Sequence, residues 1–458
     1  MPIDSKHPYY KAYEDQWVDC RNCYDGQKAV KAAGERYLPR LSGQTDAEYK
    51  AYKMRALFYS ITSKTISALT GMALDQPPEL KYPDSMASYF EDHAGIQFSE
   101  CLAVAILEIL LMGRFGALVD RPAGGGEPYL TLYTTENIIN WRLSETGETE
   151  MVVLREFYLE ANSSDEYVID VKIRYRKLEM VGGRLTITVY LPTDEKNSEF
   201  NPTAPTTVTN TGVEMDHIPF FCVTPNGLSF DPEKPPVQDI VDINLSHYRT
   251  SADLEHGRHF TGLPTPWVTG AESQAKMHIG STTAWVIPEA SAKVGYLEFE
   301  GLGLQSLEKA LAEKQGQLAS LSARLIDNST RGSEAAETVK LRYLSETSSL
   351  RMVVRAAQAF VNKVFSTVAF MKGEDPKSVN LTLNTNFLDS KLSAAELKAW
   401  VEAYLSRGIS KEIFIHALKV GRALPPPGEP MGEIPDPPPV PKPGDTQPNP
   451  KPSNQPTE

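Results

Sequence analysis

The strongest constraint on this chain is a pair of long helical patterns in its second half. Leu304, Leu311, Leu318 and Leu325 recur every seven residues, with Leu307 and Leu321 at the companion offset. This is an apolar seam of about three heptads, and Lys314 interrupts it. A seam that short predicts a helix packed inside an assembly over 304–326, not a free-standing coiled coil. After Asp327–Ser333 the period resumes at Leu341, Leu344, Leu350, Val353, Val354, Ala357, Phe360, Val361, Val364 and Val368. That pattern predicts a second helix of roughly 30 residues, about 45 Å long. An all-β chain is thereby excluded.

The rest of the chain mixes both element types. Thr45 and Glu48 have the capping-box spacing at the start of a helix carrying Tyr52, Leu57, Ile61 and Leu69, with Gly71 as its left-handed stop. Phe98–Met112 is apolar nearly all round and predicts a buried helix, with Ser99 as its cap and Gly113 ending it. The middle reads as antiparallel β. Ile169, Val171, Ile173 and Tyr175 alternate with polar residues, and Gly182–Gly183 supplies a hairpin turn before Leu185, Ile187 and Val189. Segments 129–141 and 150–159 predict further strands, as do 379–384 and the run Ala284–Ile287. Residues 192–216 are polar and rich in Thr, Pro and Asn, and read as a loop. Two short helices close the pattern: Ser393 and Glu396 box the first, Arg407–Gly408 ends it, Ser410 caps the second and Gly421 ends that. Of the 34 prolines, 14 fall in 424–458, which lacks large apolar side chains and predicts a mobile tail. The fold class expected is α+β.

Composition excludes several functions. At −13 net, the chain is too acidic to grip nucleic acid over its whole surface. The first residues lack a signal-peptide core, and the longest apolar stretch, Cys101–Met112, contains Glu108 and is far short of the ~20 residues that span a bilayer. Four cysteines do not make a disulfide scaffold, so an intracellular protein is expected. Cys20 and Cys23 form a lone CxxC, with no second pair to complete a zinc site. His247, His256 and His259 lack an accompanying carboxylate motif, and Gly301–Leu–Gly303 lacks the third glycine and lysine of a phosphate loop. No catalytic residue, metal site or cofactor is expected. The pair 393–421 has the outline of a DNA-reading helix-turn-helix, but the apolar face of 411–420 favours packing. Residues 337–372 carry six cations against Glu337 and Glu346, a +4 element that either meets phosphate or pairs with acidic neighbours.

Four stretches share a further likeness: Phe98–Val119, Ile218–Gly270, the helix–loop–helix of 304–370, and 381–421. In their order the chain resembles the portal proteins, or head–tail connectors, of tailed bacteriophages. The resemblance implies a ring of twelve copies at one capsid vertex, each subunit having wing, stem, clip and crown around a channel. It implies an N-terminal arm at 1–44, a wing at 45–235, stem helices at 236–261 and 304–326, and a clip at 262–303. A channel loop would be 327–336, a long wing helix and strand 337–390, crown helices 391–423, and a disordered tail 424–458. Lys309, Lys314, Arg324, Asn328, Ser329, Thr330, Arg331 and Ser333 would face the channel. Implied partners are double-stranded DNA passing without sequence specificity, a separate terminase or packaging ATPase, a head–tail adaptor, and the major capsid and scaffold proteins. The protein would belong to the virion, assembled in the host cytoplasm, with no membrane contact. The alternatives are another ring-forming virion protein, such as an adaptor or minor capsid protein, and then a nucleic-acid-binding enzyme.

Overall fold

A computed structural model describes residues 2–90, 98–122, 126–161, 167–193, 199–207, 209–210, 213–262, 265–270, 291–297, 302–326, 348–385, 387 and 394–420. They divide into two units, Met1–Phe387 and Leu388–Glu458. Helices and strands mix throughout the first unit, as an α+β chain requires.

Local chemistry sets the first helices. The helix α1 (Pro8–Asp25) starts at His7, whose ring accepts the Tyr9 N–H and stacks on Trp141. Gly26, at φ +87°, separates it from α2 (Gln27–Ala32). The capping box of α3 (Asp46–Arg55) is present: the Glu48 N–H donates to Thr45 Oγ1 at 3.4 Å and the Thr45 N–H to the Glu48 carboxylate at 2.8 Å. The single helix expected up to Gly71 is, however, two. The chain breaks at 56–60 to bury Phe58 against Tyr248, with Gln27 Oε1 accepting the Phe58 N–H at 3.2 Å. Gly71 therefore lies inside α4 (Ile61–Ala73) and is not a left-handed stop.

After the short strand β1 (Glu79–Lys81) and the turn of helix α5 (Ala87–Phe90) comes α6 (Phe98–Met112), buried nearly all round as its apolarity requires. Ser99 sits within its first turn. Gly113 ends it in the left-handed region, at φ +70°. Two antiparallel sheets follow. One has the order β12 (Gly227–Leu228), β11 (Phe220–Thr224), β2 (Phe115–Asp120), β3 (Tyr129–Thr134). The other is a meander, β4 (Ile138–Leu143), β5 (Thr149–Ala161), β6 (Ile169–Val181), β7 (Arg184–Pro192), β8 (Phe200–Pro202). Gly182 and Gly183, both at positive φ, make the β6–β7 turn. The segment expected to be a loop contributes β8 and a small pair, β9 (Thr209–Asn210) with β10 (Val213–Glu214). Thr206 exchanges backbone hydrogen bonds with Ile187, which ties this polar stretch to the sheet.

Three helices carry the second half of this unit: α7 (Gln238–Gly262), α8 (Leu302–Ile326) and α9 (Ser348–Lys372). Between α7 and α8 lies a ribbon of β13 (Thr265–Thr269) and β14 (Lys293–Leu297). The run Ala284–Ile287 lies outside the described residues. The apolar stripe of α9, from Val353 and Val354 through Phe360, Phe365 and Val368, is buried against α6, β11 and β12. Strand β15 (Asn380–Thr382) then pairs with β1, and the Asn362 side chain clamps Leu381 N–H and C=O at 2.7 and 3.0 Å.

Arg114 holds the sheets to the helices. Its buried guanidinium donates to Thr135 Oγ1 and to the carbonyls of Thr135, Ile138 and Phe230, and lies over the rings of Trp17 and Trp141. Among the described residues the charge has no direct carboxylate partner; carbonyl dipoles and aromatic faces replace its water.

The second unit is a pair, α10 (Ala394–Leu405) and α11 (Lys411–Val420). Tyr404 stacks on Phe414 at 4.5 Å, and Leu418 is buried with them. This gives the apolar face of α11 its packing role. Ser410 Oγ accepts the Ile413 N–H, but Arg407, not Gly408, takes the left-handed conformation at the turn. The Ser393 cap and Gly421 lie outside the described residues.

Candidate functional site

The long helix pair is where sequence pattern and structure converge. Helices α7 and α8 run antiparallel: Arg258 reaches Glu308 (2.8 Å), Lys314 reaches Ser246 and Thr250, and Gln315 meets His247 (3.3 Å). Each is 25 residues, about 37 Å at ~1.5 Å per residue. Near the ribbon end the two cross closely. A Cβ on Gly257 would lie 2.5 Å from Leu304 Cδ2, so the absence of a side chain there lets the leucine in. At the far end Ser322 hydrogen-bonds Thr65 of α4 at 3.0 Å, and the pair is rooted in the body. On the body side α7 packs on α1 and α3, with Cys20 Sγ donating to Gln238 Oε1 and Tyr52 Oη to Asp253.

The leucine seam from Leu304 to Leu321 faces inward, with Leu318 fully buried. Lys314, its interruption, also turns inward. Its ammonium donates to the Ser246 carbonyl (3.4 Å) and to Thr250 Oγ1, and burial, with Arg249 nearby, lowers its pKa. A polar α7 wall at Ser246–Thr250 accepts the amine, so the seam closes around it. Burial and the Lys314 charge likewise lower the pKa of His247, whose Nδ1 has no hydrogen-bond partner.

The opposite face of α8 is exposed. It carries Gln305, Ser306, Lys309, Ala312, Glu313, Gly316, Gln317, Ala319 and Ser320, with Glu308 and Gln315 exposed at its margin where they bond to α7. Glu308 is paired with Arg258 of the same chain, and Lys309 and Glu313 contribute one charge of each sign. The surface is therefore amide, hydroxyl and methyl, close to neutral despite the acidic chain. At the other end, the ribbon exposes Trp267, Val294 and Tyr296.

Of the residues expected to face a channel, Lys309 is on this outer face and Lys314 is between the helices. Arg324 belongs to α8, but its side chain lies outside the described set, as do Asn328, Ser329, Thr330, Arg331 and Ser333 entirely. Three of the four cations of α9 serve the fold: Arg351 donates to the Thr385 carbonyl, Lys363 lies over Phe221, and Lys372 pairs with Glu127, while Arg355 is exposed. Lys340 and Arg342 lie outside the described residues.

No group of three or more metal-ligating side chains forms among the described residues. Cys20 and Cys23 are buried in α1, and burial pushes both thiols far up. His256 packs edge-on against Tyr52 and Phe260. An open groove of about 510 Å³ beside α1 and α7 is lined by Asp15, Asp19 and Arg36, which already pair with one another. No described helix is long and apolar enough to cross a membrane.

Residues 236–371, from the start of α7 almost to the end of α9, match a family model described as a domain of unknown function, DUF4055. No curated protein matches the chain. Among solved structures, the chain is similar to one described as the neck of an empty GTA particle computed with C6 symmetry. The identity is 14% over 88% of this chain and 99% of that one, with a TM-score of 0.36. A second is the virion of a native gene transfer agent particle, at 13% identity over 87% and 99%, with a TM-score of 0.35. A third is the neck of a native GTA particle computed with C12 symmetry, at 13% over 80% and 90%, with a TM-score of 0.36.

Proposed function

We propose that this chain is a portal-type subunit, assembling as a dodecameric ring around a channel for double-stranded DNA. The α7–α8 pair is the stem, the β13–β14 ribbon belongs to the clip, the body is the wing and the α10–α11 pair is the crown. In this reading the ring sits at one capsid vertex, meets capsid and scaffold proteins at its rim, and docks the packaging ATPase and then the tail adaptor through the clip.

The observation that carries the reading is the two-sided character of α8. Its apolar side is spent on α7 and the body, and its outer side is polar but nearly uncharged. A wall meant to hold DNA would present cations, each releasing counterions from the backbone and strengthening the grip. A neutral wall of glutamine, serine and alanine touches a passing duplex without holding it. The inward turn of Lys314 removes a cation from that wall and leaves Lys309 as the outward-facing lysine among its described residues. Closed rings also need two unlike patches on each subunit, and this chain leaves several apolar side chains uncovered.

Light scattering on the purified chain, with negative-stain images, tests the proposal. Twelve copies of the 50.7 kDa chain make about 608 kDa, and an annulus of that mass is expected. A chain that remains monomeric after scaffold and capsid protein are added contradicts it. Sequence-selective DNA binding by the isolated ring contradicts the passage role.

A further inference from the structure

The first helices carry charge that the fold does not use. Residues 27–33 and 49–66 hold Lys28, Lys31, Lys50, Lys53, Arg55 and Lys64 and no carboxylate. The whole chain has 59 acids against 46 cations, so these stretches reverse its average sign. The fold brings them together. The Lys31 ammonium donates to the Met54 carbonyl at 2.9 Å, and Gln27 Oε1 of α2 accepts the Phe58 N–H in the break between α3 and α4. Lys50 and Lys53 stand one turn apart on α3 and share a face. Lys53 lies over the ring of Tyr49 and Lys64 over that of Tyr59, each at 5.7 Å. Burial and the Arg55 charge lower the pKa of His256, so the positive field reaches α7.

Other cations of these helices are paired. Arg36 holds Asp15 and Asp19, and Arg40 holds Glu35 and Asp46. Among the described residues none of the six has a carboxylate partner. The acids nearby are taken: Glu48 closes the capping box and Asp253 accepts Tyr52 Oη. Lys28, Lys50 and Lys64 are exposed, and Lys31, Lys53 and Arg55 are half-exposed. Five of the six are lysines, a type depleted from protein–protein interfaces. An ammonium on a flexible stem is a point charge that suits phosphate oxygens without demanding a fixed geometry. Duplex DNA presents one negative charge per ~1.7 Å of its axis, dense enough to meet several of these lysines at once. Met54 and Leu57 also stand exposed here, which makes an acidic protein surface the rival occupant. The lysine excess favours the phosphate backbone.

We infer that this α2–α4 patch binds the backbone of double-stranded DNA without reading its sequence. It is a contact of another kind from the outer face of α8: that face is nearly neutral and lets a duplex pass, whereas this one holds it. The inference rests on the portal reading only for the choice of duplex DNA as the polyanion.

Fluorescence anisotropy of the full chain with a short labelled duplex of arbitrary sequence tests it. About five phosphate contacts predict an affinity that falls by about 10²–10³ between ~50 and ~200 mM salt. The variant with Lys28→Glu, Lys50→Glu and Lys64→Glu should bind at least tenfold more weakly and with a flatter salt slope. Its three positions are exposed, so circular dichroism should show it folded, and the same positions changed to Gln should give a smaller loss. Lys377→Glu, at an exposed lysine far along the chain, should bind like the parent. No binding at the lower salt, or patch variants that bind like the parent, overturn the inference. So does poly-glutamate bound through these lysines in place of the duplex, which assigns the patch to an acidic protein. Binding lost by Lys309→Glu and kept by the patch variant places the contact on α8 and also overturns it. A monomer that binds the duplex through the patch overturns the ring reading alone, and a ring indifferent to these changes overturns the patch alone.

Discussion

Replacing Gly113 by alanine should loosen the joint between the body and the helix pair. Gly113 ends α6 at φ +70°, and a Cβ there would lie 2.6 Å from the Glu233 carbonyl oxygen and 3.3 Å from Pro235 Cα. Those residues lead directly into α7. Two costs add. The left-handed conformation costs a residue with a Cβ about 1–2 kcal/mol. The overlap is with backbone, which cannot rotate away as a side chain would, and forced backbone shifts cost about 1–3 kcal/mol. The sum is about 2–5 kcal/mol. At roughly 2 °C per kcal/mol for a unit this large, the melting midpoint should fall by about 4–10 °C. Gly43→Ala is the control. Its φ is +77°, but nothing lies within 4 Å of the added Cβ, so it isolates the backbone cost. Thermal melts followed by circular dichroism compare the two. If Gly113→Ala costs no more than Gly43→Ala, the chain before α7 does not press on this joint and the close packing deduced for it is refuted.

Other changes probe the helix pair. Lys314→Met should leave stability unchanged or raise it by up to about 1 kcal/mol, since it removes a desolvated amine and Thr250 Oγ1 still has the Ser246 carbonyl as an acceptor; a loss above that in a urea titration would place the amine's role elsewhere. Leu318→Ala should cost about 2–5 kcal/mol, because this side chain is fully buried in the seam, and a loss under 1 kcal/mol would mean the seam is not packed. His247 has a folded pKa lowered by burial, so the unfolded chain binds the proton more readily, and stability should fall as pH drops below the ordinary histidine value of 6.5. His247→Gln should flatten part of the melting-temperature slope between about pH 7 and 5; an unchanged slope would assign the effect to other groups.

Much of this architecture was legible in the sequence, for reasons that can be named. The seam from Leu304, interrupted only at Lys314, and the stripe of α9 repeat at helical spacing, and such periodicity is read from the chain itself. The Thr45–Glu48 box and the Gly182–Gly183 turn are local chemistry, complete within a few residues. The failures were tertiary. The break at Ala56–Ser60 arises because Phe58 finds Tyr248, far along the chain. Thr206 joins a sheet because Ile187 offers its backbone. The candidate site was legible only in part. That Lys314 interrupts the seam was visible; that it turns inward depends on Ser246 and Thr250 standing opposite. The exposure of Val171 could not be read from its alternation, because period two specifies a face but not whether anything covers it.

An electron cryo-microscopy map of the assembled particle tests the central claim most directly. It should show the α7–α8 pairs surrounding the central channel, with the glutamine-rich face of α8 and Lys309 toward the axis and Lys314 hidden between the helices. Helix pairs on the outer rim of the ring, or a particle with no axial opening, would contradict the account.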